Sequence, residues 1–287
     1  MNFLILPVLI DLLSDQGITD NQLLKNTGLD DFDLSNLPIL NGQQADEICS
    51  RAIKLSGDPL LGIKLGLRLD MVSLGILGYA AMTSATVGDV LKLLVRFKQA
   101  LLPSVRIDLV KDGGSVQLRS AAAQLPQALE RFYKDALYTG LVTNLDTLTD
   151  NHVATPILEL DYGEPEDWAL YQSIFGSNIK FNSSRCGLTF DAESLVVPIS
   201  TSDPLAQVIF QRECNRILAN DNHAGMVSER VKQALLSSRS EFPTSAAVAQ
   251  HMHMSESTLQ RRLAKEGTRF QDLLDQVCYK MVLEDLQ

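Results

Sequence analysis

The sequence predicts an α+β N-terminal region with a small, mostly antiparallel sheet, followed by an all-α C-terminal region. Three observations carry this reading. Apolar residues recur at helical spacing over residues 3–102, strict alternation takes over after Val105, and helical spacing returns from Val227 onward. At 287 residues and 45% hydrophobic content, the chain can bury a core in each region. The expected division is 1–200 for the α+β part, 201–226 for a connector helix and linker, and 227–287 for the helical part.

Each element has its own signal. The opening MNFLILPVLIDLL has no basic leader and no small-residue cleavage site, so it reads as a buried amphipathic helix and not as a signal peptide. Thr19 and Asp20 start a short helix, the acidic pair Asp30 and Asp31 marks a loop, and further helices cover 43–56 and 87–101. Val105, Ile107 and Leu109 alternate with polar residues; Asp112-Gly113-Gly114 then turns the chain, and Val116 and Leu118 alternate again, which predicts a β-hairpin. A long helix is expected over 126–148, strands over 157–160, 179–181 and 187–190, and a helix over 166–175. A helix over 203–218 leads to a linker over 220–225. No apolar run reaches the ~18 residues a membrane span requires, so no membrane partner is expected.

Charge and reactive side chains narrow the function. The net charge of −10 argues against a protein that coats nucleic acid, but the deficit is uneven. From Ser228 onward, eight Lys+Arg balance eight Asp+Glu, so the whole deficit lies in the first part. Cys49, Cys186, Cys214 and Cys278 are widely spaced with no CxxC, which points to reduced cytoplasmic thiols and neither a disulfide framework nor a zinc ribbon. His152, His223, His251 and His253 lack partners at a recognised spacing. On a helix, His251 and His253 would diverge by about 200° and could not share a metal, and imidazoles near a helix C-terminus suit the unpaired carbonyls there. Gly62 and Gly66 form no dinucleotide fingerprint. No catalytic, cofactor or metal residue is therefore expected, and an enzyme is the least supported class. Tyr79, Phe97, Phe132, Tyr133 and Tyr138 could line a ligand pocket, although such residues are more often plain core.

Residues 244–270, TSAAVAQHMHMSESTLQRRLAKEGTRF, read as two short helices around a tight turn. Val248, Ala249 and Met252 form an apolar stripe on the first, and Leu259 and Leu263 on the second. Ser255 suits the N-cap of the second helix, whose outer face then carries Ser257, Gln260, Arg261 and Lys265. That face can enter a major groove: arginine forks onto guanine, glutamine onto adenine, and lysine suits phosphate. The plainer reading is an ordinary surface helix with a charged face. From Ser255 to Arg269 the local charge is +2, compatible with a reader that makes few phosphate contacts.

Leu259-Gln260-Arg261-Arg262-Leu263 followed by Gly267 resembles the first helix-turn-helix of the AraC/XylS family of bacterial transcription regulators. The N-terminal region is similar to the arabinose-binding-like sensor domain of the subgroup that includes regulators of ornithine use and of virulence. The matching segments are Gly57-Asp58-Pro59-Leu60 with Gly62, Leu74-Gly75-Ile76-Leu77-Gly78-Tyr79, Thr86-Val87-Gly88-Asp89, Phe175-Gly176, Ile179-Lys180-Phe181 and Leu188-Thr189-Phe190. The resemblance implies a cytoplasmic DNA-binding regulator that responds to a small-molecule effector, an amino acid or a fatty acid. It implies promoter DNA as partner, with a homodimer and RNA polymerase as further partners. Ser257, Gln260 and Arg261 would face bases; Arg262, Lys265 and Thr268 would sit near the backbone.

The sequence departs from the family pattern in three places. The family's module has two helix-turn-helix units joined by a helix; here Thr268 and Gln271 suggest a capping box opening that joining helix, with Leu273, Leu274, Val277 and Met281 on its apolar side, and the second unit is absent. Cys278 stands where the family usually has Arg. His253 replaces the usual turn Gly, which predicts positive φ there or at a neighbour. The missing unit leaves an alternative open: a ligand-sensing or dimerising protein that has lost autonomous DNA binding through truncation.

Overall fold

The computed structural model describes residues 4–25, 27, 29, 40, 42–122, 125–165, 168–224, 227–236, 243–252 and 254–285. The loop expected at Asp30 and Asp31 lies outside them. The chain divides into two compact units, Met1–Cys214 and Asn215–Gln287.

The first unit begins with helices. In α1 (Leu6–Ser14), Pro7 occupies the first turn, where its missing N–H costs nothing, and Leu6, Leu9, Leu12 and Leu13 are buried. α2 (Asp20–Leu24) opens on a capping box between Thr19 and Gln22. α3 (Gly42–Ser56), α4 (Leu61–Arg68), α5 (Gly75–Met82) and α6 (Val87–Leu101) follow, the last capped by Thr86. The hairpin of β1 (Arg106–Asp112) and β2 (Ser115–Ala121) turns at Gly113, whose φ of 59° suits glycine. Then come α7 (Gln127–Leu148), β3 (Ile157–Glu159), α8 (Trp168–Phe175), β4 (Ile179–Lys180), β5 (Gly187–Asp191), α9 (Ala192–Val196) and α10 (Pro204–Ala224).

The five strands form one sheet in the order β1-β2-β5-β3-β4. All pairs are antiparallel except β3 with β4. One register row, Leu109, Leu118, Leu188, Leu158 and Ile179, crosses the whole sheet. Its three central leucines are fully buried, because alternation puts every second side chain on the same face. Ser120 lies two residues along β2 on that face, and its hydroxyl sits 2.6 Å from the Tyr138 hydroxyl of α7. Thus α7 lies on the sheet on one side and on α4 on the other. A Cβ at Gly62 would stand 2.5 Å from the Phe132 carbonyl oxygen, and one at Gly66 2.8 Å from that of Ala136. The two glycines, a pair with no phosphate-loop pattern, let α4 approach the α7 backbone closely. Wrapped on both sides, α7 is buried almost all round, which is why its sequence shows little amphipathic contrast.

Two expected boundaries shift. The linker expected over 220–225 is helical as far as Ala224, because no glycine or proline precedes Gly225 to stop α10. The first half of α10 packs within the first unit: Phe210 stacks on Tyr79 with ring centroids 5.5 Å apart, and the Cys214 thiol lies 3.7 Å from the Ile76 carbonyl oxygen.

Among the described residues of the second unit every regular element is a helix: the end of α10, then α11 (Val227–Leu236), α12 (Ser245–His251), α13 (Glu256–Lys265) and α14 (Phe270–Asp285). Val231, Leu235, Val248, Ala249, Met252, Leu259, Leu263, Leu273 and Val277 form one core. At about 1.5–3 kcal/mol for each large apolar side chain buried, this cluster is the main source of the unit's stability. The capping box expected at Thr268 and Gln271 does not form. α14 starts one residue later, with the Asp272 carboxylate accepting the Arg269 N–H at 3.1 Å, and the Gln271 amide donates instead to Asp275 at 3.0 Å. The Thr268 N–H that Gln271 would have accepted is already taken by the Leu263 carbonyl at 3.1 Å, so the box has no donor there.

Candidate nucleic-acid interface

Both ends of α13 are fixed by local chemistry. Ser255 is extended (φ −72°, ψ 151°), and its hydroxyl accepts the Thr258 N–H at 3.3 Å, as an N-cap should. At the other end Gly267 takes φ 73°. The Gly267 N–H reaches the Ala264 carbonyl and the Thr268 N–H the Leu263 carbonyl, both at 3.1 Å, the paired bonds of a Schellman motif. α12 is capped by Thr244, whose hydroxyl accepts the Ala247 N–H at 3.2 Å.

Packing orients the helix between these ends. Leu259 and Leu263 are buried against Val248, Ala249 and Met252 of α12, so the opposite face is left to solvent. Ser257, Gln260, Arg261 and Arg262 are all exposed. Ser257 also hydrogen-bonds towards the cap, its hydroxyl 3.1 Å from that of Ser255. Gln260, Arg261 and Arg262 enter no ion pair or side-chain hydrogen bond among the described residues. Lys265 is the last residue of α13, and its side chain lies outside the described ones. Thr268 is half-buried just beyond the Schellman turn. One face of α13 therefore gathers Ser257 and Arg261, flanked by Gln260 and Arg262, and Thr268 follows its C-terminal end.

The turn expectation rests on His253, which lies outside the described residues. Met252 and Ser255 have φ of −87° and −72°, and no described residue of the turn has positive φ.

Glu266 is a part of this arrangement that carries no sequence signal. Its carboxylate accepts the Val227 N–H at 2.7 Å and the Ser228 N–H at 2.9 Å, capping α11 from the end of α13. Partial burial works against its charge, but the bonds from Ser228 and Val227 outweigh that and hold its pKa below the usual glutamate value. The two helices are 38 residues apart in sequence at this contact, so nothing local distinguishes Glu266 from any surface glutamate.

Among the described residues the first unit has at least three cavities, the third of about 190 Å³ and lined by Gln117, Glu159, Lys180 and Arg185. An apolar one of about 90 Å³ is lined by Leu69, Leu77, Leu93, Leu137 and Leu141, with Asn144 as a polar member whose amide donates to the Leu69 and Gly140 carbonyls at 2.6 Å each. None of the five aromatic candidates lines it. Phe97, Tyr133 and Tyr138 are buried core, Tyr79 stacks on Phe210, and Phe132 borders the second cavity, a polar cleft. Among the described residues, no cluster of His, Cys, Asp and Glu could hold a metal ion, and no helix is long and apolar enough to cross a membrane. Cys49, Cys186 and Cys214 are free and buried, and burial pushes the Cys49 thiol up to about 12 and that of Cys186 to about 11.

Comparison with known proteins bears on both units. Residues 17–199 match the arabinose-binding domain found at the N-terminus of AraC transcription regulators. The chain is 27% identical to the ornithine utilization regulator of Pseudomonas aeruginosa, over 97% of this chain and 82% of that protein. It is 22% identical to an uncharacterized HTH-type transcriptional regulator of Mycobacterium bovis, over 93% and 79%. The crystal structure of the transcriptional regulator CdpR from Pseudomonas aeruginosa has a similar fold, with a TM-score of 0.53 at 21% identity, covering 98% of this chain and 84% of that one. With its N-terminal domain matched over this length, the chain belongs to the family of AraC transcription regulators that carry the arabinose-binding domain.

Proposed function

We propose that the second unit binds promoter DNA through a helix-turn-helix formed by α12 and α13, and that the first unit makes this binding respond to a small-molecule effector. The observation that carries the reading is the α13 face. Ser257, Gln260 and Arg261 are exposed and poised on a doubly capped helix whose other side is locked into the core. An exposed arginine with no ion-pair partner among the described residues is free to fork onto guanine, and Gln260 beside it suits adenine. Arg262 and Lys265 flank the base-reading residues where phosphates would pass; Thr268 contributes from the turn that follows. The neighbourhood's charge of +2 on an acidic chain means that binding depends strongly on salt. A promoter-bound regulator works in the cytoplasm, beside RNA polymerase, and a two-fold dimer would match paired half-sites.

The test titrates the full chain and two variants against cognate and scrambled promoter DNA at several salt concentrations. Arg261→Ala should lose about 1–3 kcal/mol at a single base pair and spare scrambled DNA, whereas Lys265→Ala should weaken both alike and flatten the salt slope by about one unit. Equal loss on both DNAs would remove Arg261 as a base reader. A chain that ignores DNA even at low salt would instead be a ligand-sensing or dimerising protein.

A further inference from the structure

The described residues bury two charged side chains, Lys134 and Asp135, and these are adjacent on α7. Lys134 lines one polar cleft of about 510 Å³, framed by the start of α4, the first turns of α7 and the segment 161–163 after β3, and Asp135 stands behind it, paired with the cleft residue Arg131. Its volume falls within the ~300–1,000 Å³ typical of small-molecule sites. Lys134 forms its floor: its ammonium contacts Glu130 at 2.6 Å and both Asp161 oxygens at 2.7 and 2.8 Å. Burial works against that charge, but the Asp161 and Glu130 carboxylates hold the lysine protonated. Two carboxylates around one ammonium leave a net charge of −1, and both carboxylates remain about a third exposed.

A second, cationic group stands one residue away. Arg131 also lines the cleft, with its guanidinium over the Tyr162 ring at 5.2 Å and 3.2 Å from the Tyr171 hydroxyl. Asp135 balances it from behind, with Nε to Oδ2 at 3.4 Å, and accepts hydrogen bonds from the Tyr162 and Tyr171 hydroxyls, the latter at 2.7 Å. Arg131 Nε is buried against Asp135 without a hydrogen bond and Nη2 reaches Tyr171, which leaves Nη1 with no hydrogen bond among the described residues, so this guanidinium is braced but not saturated. Buried ion networks are no more stable than the apolar packing that could replace them, and their concentration at one cleft marks a binding role.

We propose that this cleft binds a small zwitterion of the α-amino acid type, its ammonium on the solvent-exposed edges of the Glu130 and Asp161 carboxylates and its carboxylate on Arg131. The separation of sign along one helix turn supplies both recognition elements: a net negative pair at Glu130 and Asp161, and an under-satisfied guanidinium at Arg131. Carboxylate recognition by arginine is directional, so both ends of the ligand are read. The leucine-lined cavity has no such charges and is not this site. The inference rests on the effector-responsive reading above and assigns it a place and a ligand chemistry.

The test uses the full chain. The standard L-amino acids are screened singly by thermal shift, and the best binder is then titrated calorimetrically beside its Nα-acetyl and methyl ester forms and beside arabinose. Each blocked form should bind at least roughly tenfold more weakly, since each removes one of the two ligand charges that the cleft would pair, and arabinose should not compete. Glu130→Gln should weaken the amino acid by a similar factor with the unliganded melting temperature retained, because Asp161 still neutralises Lys134. Arg131→Gln should do the same; if it fails to fold, Glu130→Gln decides alone. No amino acid binding, or equal binding of the Nα-acetyl form, overturns the proposal. Adding the amino acid to the promoter titration separates the two readings: binding that leaves promoter affinity unchanged keeps the cleft as a zwitterion site and removes its effector role.

Discussion

Helices α7 and α13 use charge in opposite ways. α7 buries Lys134 and Asp135 and surrounds them with Glu130, Asp161, Arg131 and two tyrosine hydroxyls. α13 leaves Gln260, Arg261 and Arg262 in solvent without ion-pair partners among the described residues and spends only its leucines on packing. The contrast separates two kinds of recognition. A concave site that encloses a small molecule needs charges held in place before the ligand arrives, and that requires buried partners. A convex face that enters a groove can leave its charges to water until the DNA replaces it, because phosphates and base edges supply the partners. Substitutions of the buried α7 residues Lys134 and Asp135 should therefore act first on folding, and those on the outer face of α13 first on binding.

The largest effect is expected where α4 meets α7. In an open helix, Gly→Ala gains about 1 kcal/mol. At Gly66 the new methyl would stand 2.8 Å from the Ala136 carbonyl oxygen and 2.7 Å from Thr139 Cβ, so Gly66→Ala should instead destabilise the first unit by about 3 kcal/mol. Urea unfolding followed by circular dichroism checks this; unchanged stability would mean that the helices are not so closely packed. Of comparable size, Leu263→Ala in the second unit should cost about 2–4 kcal/mol, because the side chain is fully buried in the core below α13. DNA affinity should fall with it, although no DNA-facing group has changed.

The pH dependence sharpens the contrast. Burial raises Asp135 to about 6, partly offset by the Tyr162 and Tyr171 hydroxyls and by Arg131, whereas an unfolded aspartate titrates near 3.8. Between these values the folded chain holds a proton that the unfolded chain has released, so this group's contribution falls as pH rises from about 4 to about 6, by up to about 3 kcal/mol. The stability difference between the wild type and Asp135→Asn, measured across that range, should show this slope; a flat difference would mean that Asp135 is ionised throughout. Glu266 behaves in the opposite sense. Its pKa is lowered, so the cap it provides is present above the ordinary glutamate range and lost as pH falls through that lower value. The smallest effect is expected here: Glu266→Ala should cost about 1 kcal/mol and speed amide exchange at Val227 and Ser228.

Legibility in the sequence followed the distance over which each interaction acts. The Thr19 and Ser255 caps, the hairpin turn at Gly113 and the leucine spacing of α13 depend on neighbours within four residues, and all form as the residues predict. The end of α10 misled because Asn220, Asp221 and Asn222 look like a linker, yet nothing before Gly225 breaks the helix. The capping box at Thr268 misled because the Thr268 N–H that Gln271 would accept goes instead to the Leu263 carbonyl across the turn. The aromatic residues show a further limit: size and hydrophobicity do not tell a cavity wall such as Phe132 from a filled core such as Tyr138.

By itself, the sequence determined the two regions, the apolar stripes of α12 and α13, the outward set Ser257, Gln260 and Arg261, and the family resemblance. Each of these depends on local periodicity or on short patterns along the chain. Only the tertiary structure decided that Lys134 and Asp135 are buried, that Glu130 and Asp161 face one lysine across 31 residues of chain, and that Glu266 caps a helix 38 residues before it. The physical reason is that burial and ion pairing are set by which segments pack together, and a charged residue at a given position reads the same in sequence whether water or protein becomes its partner.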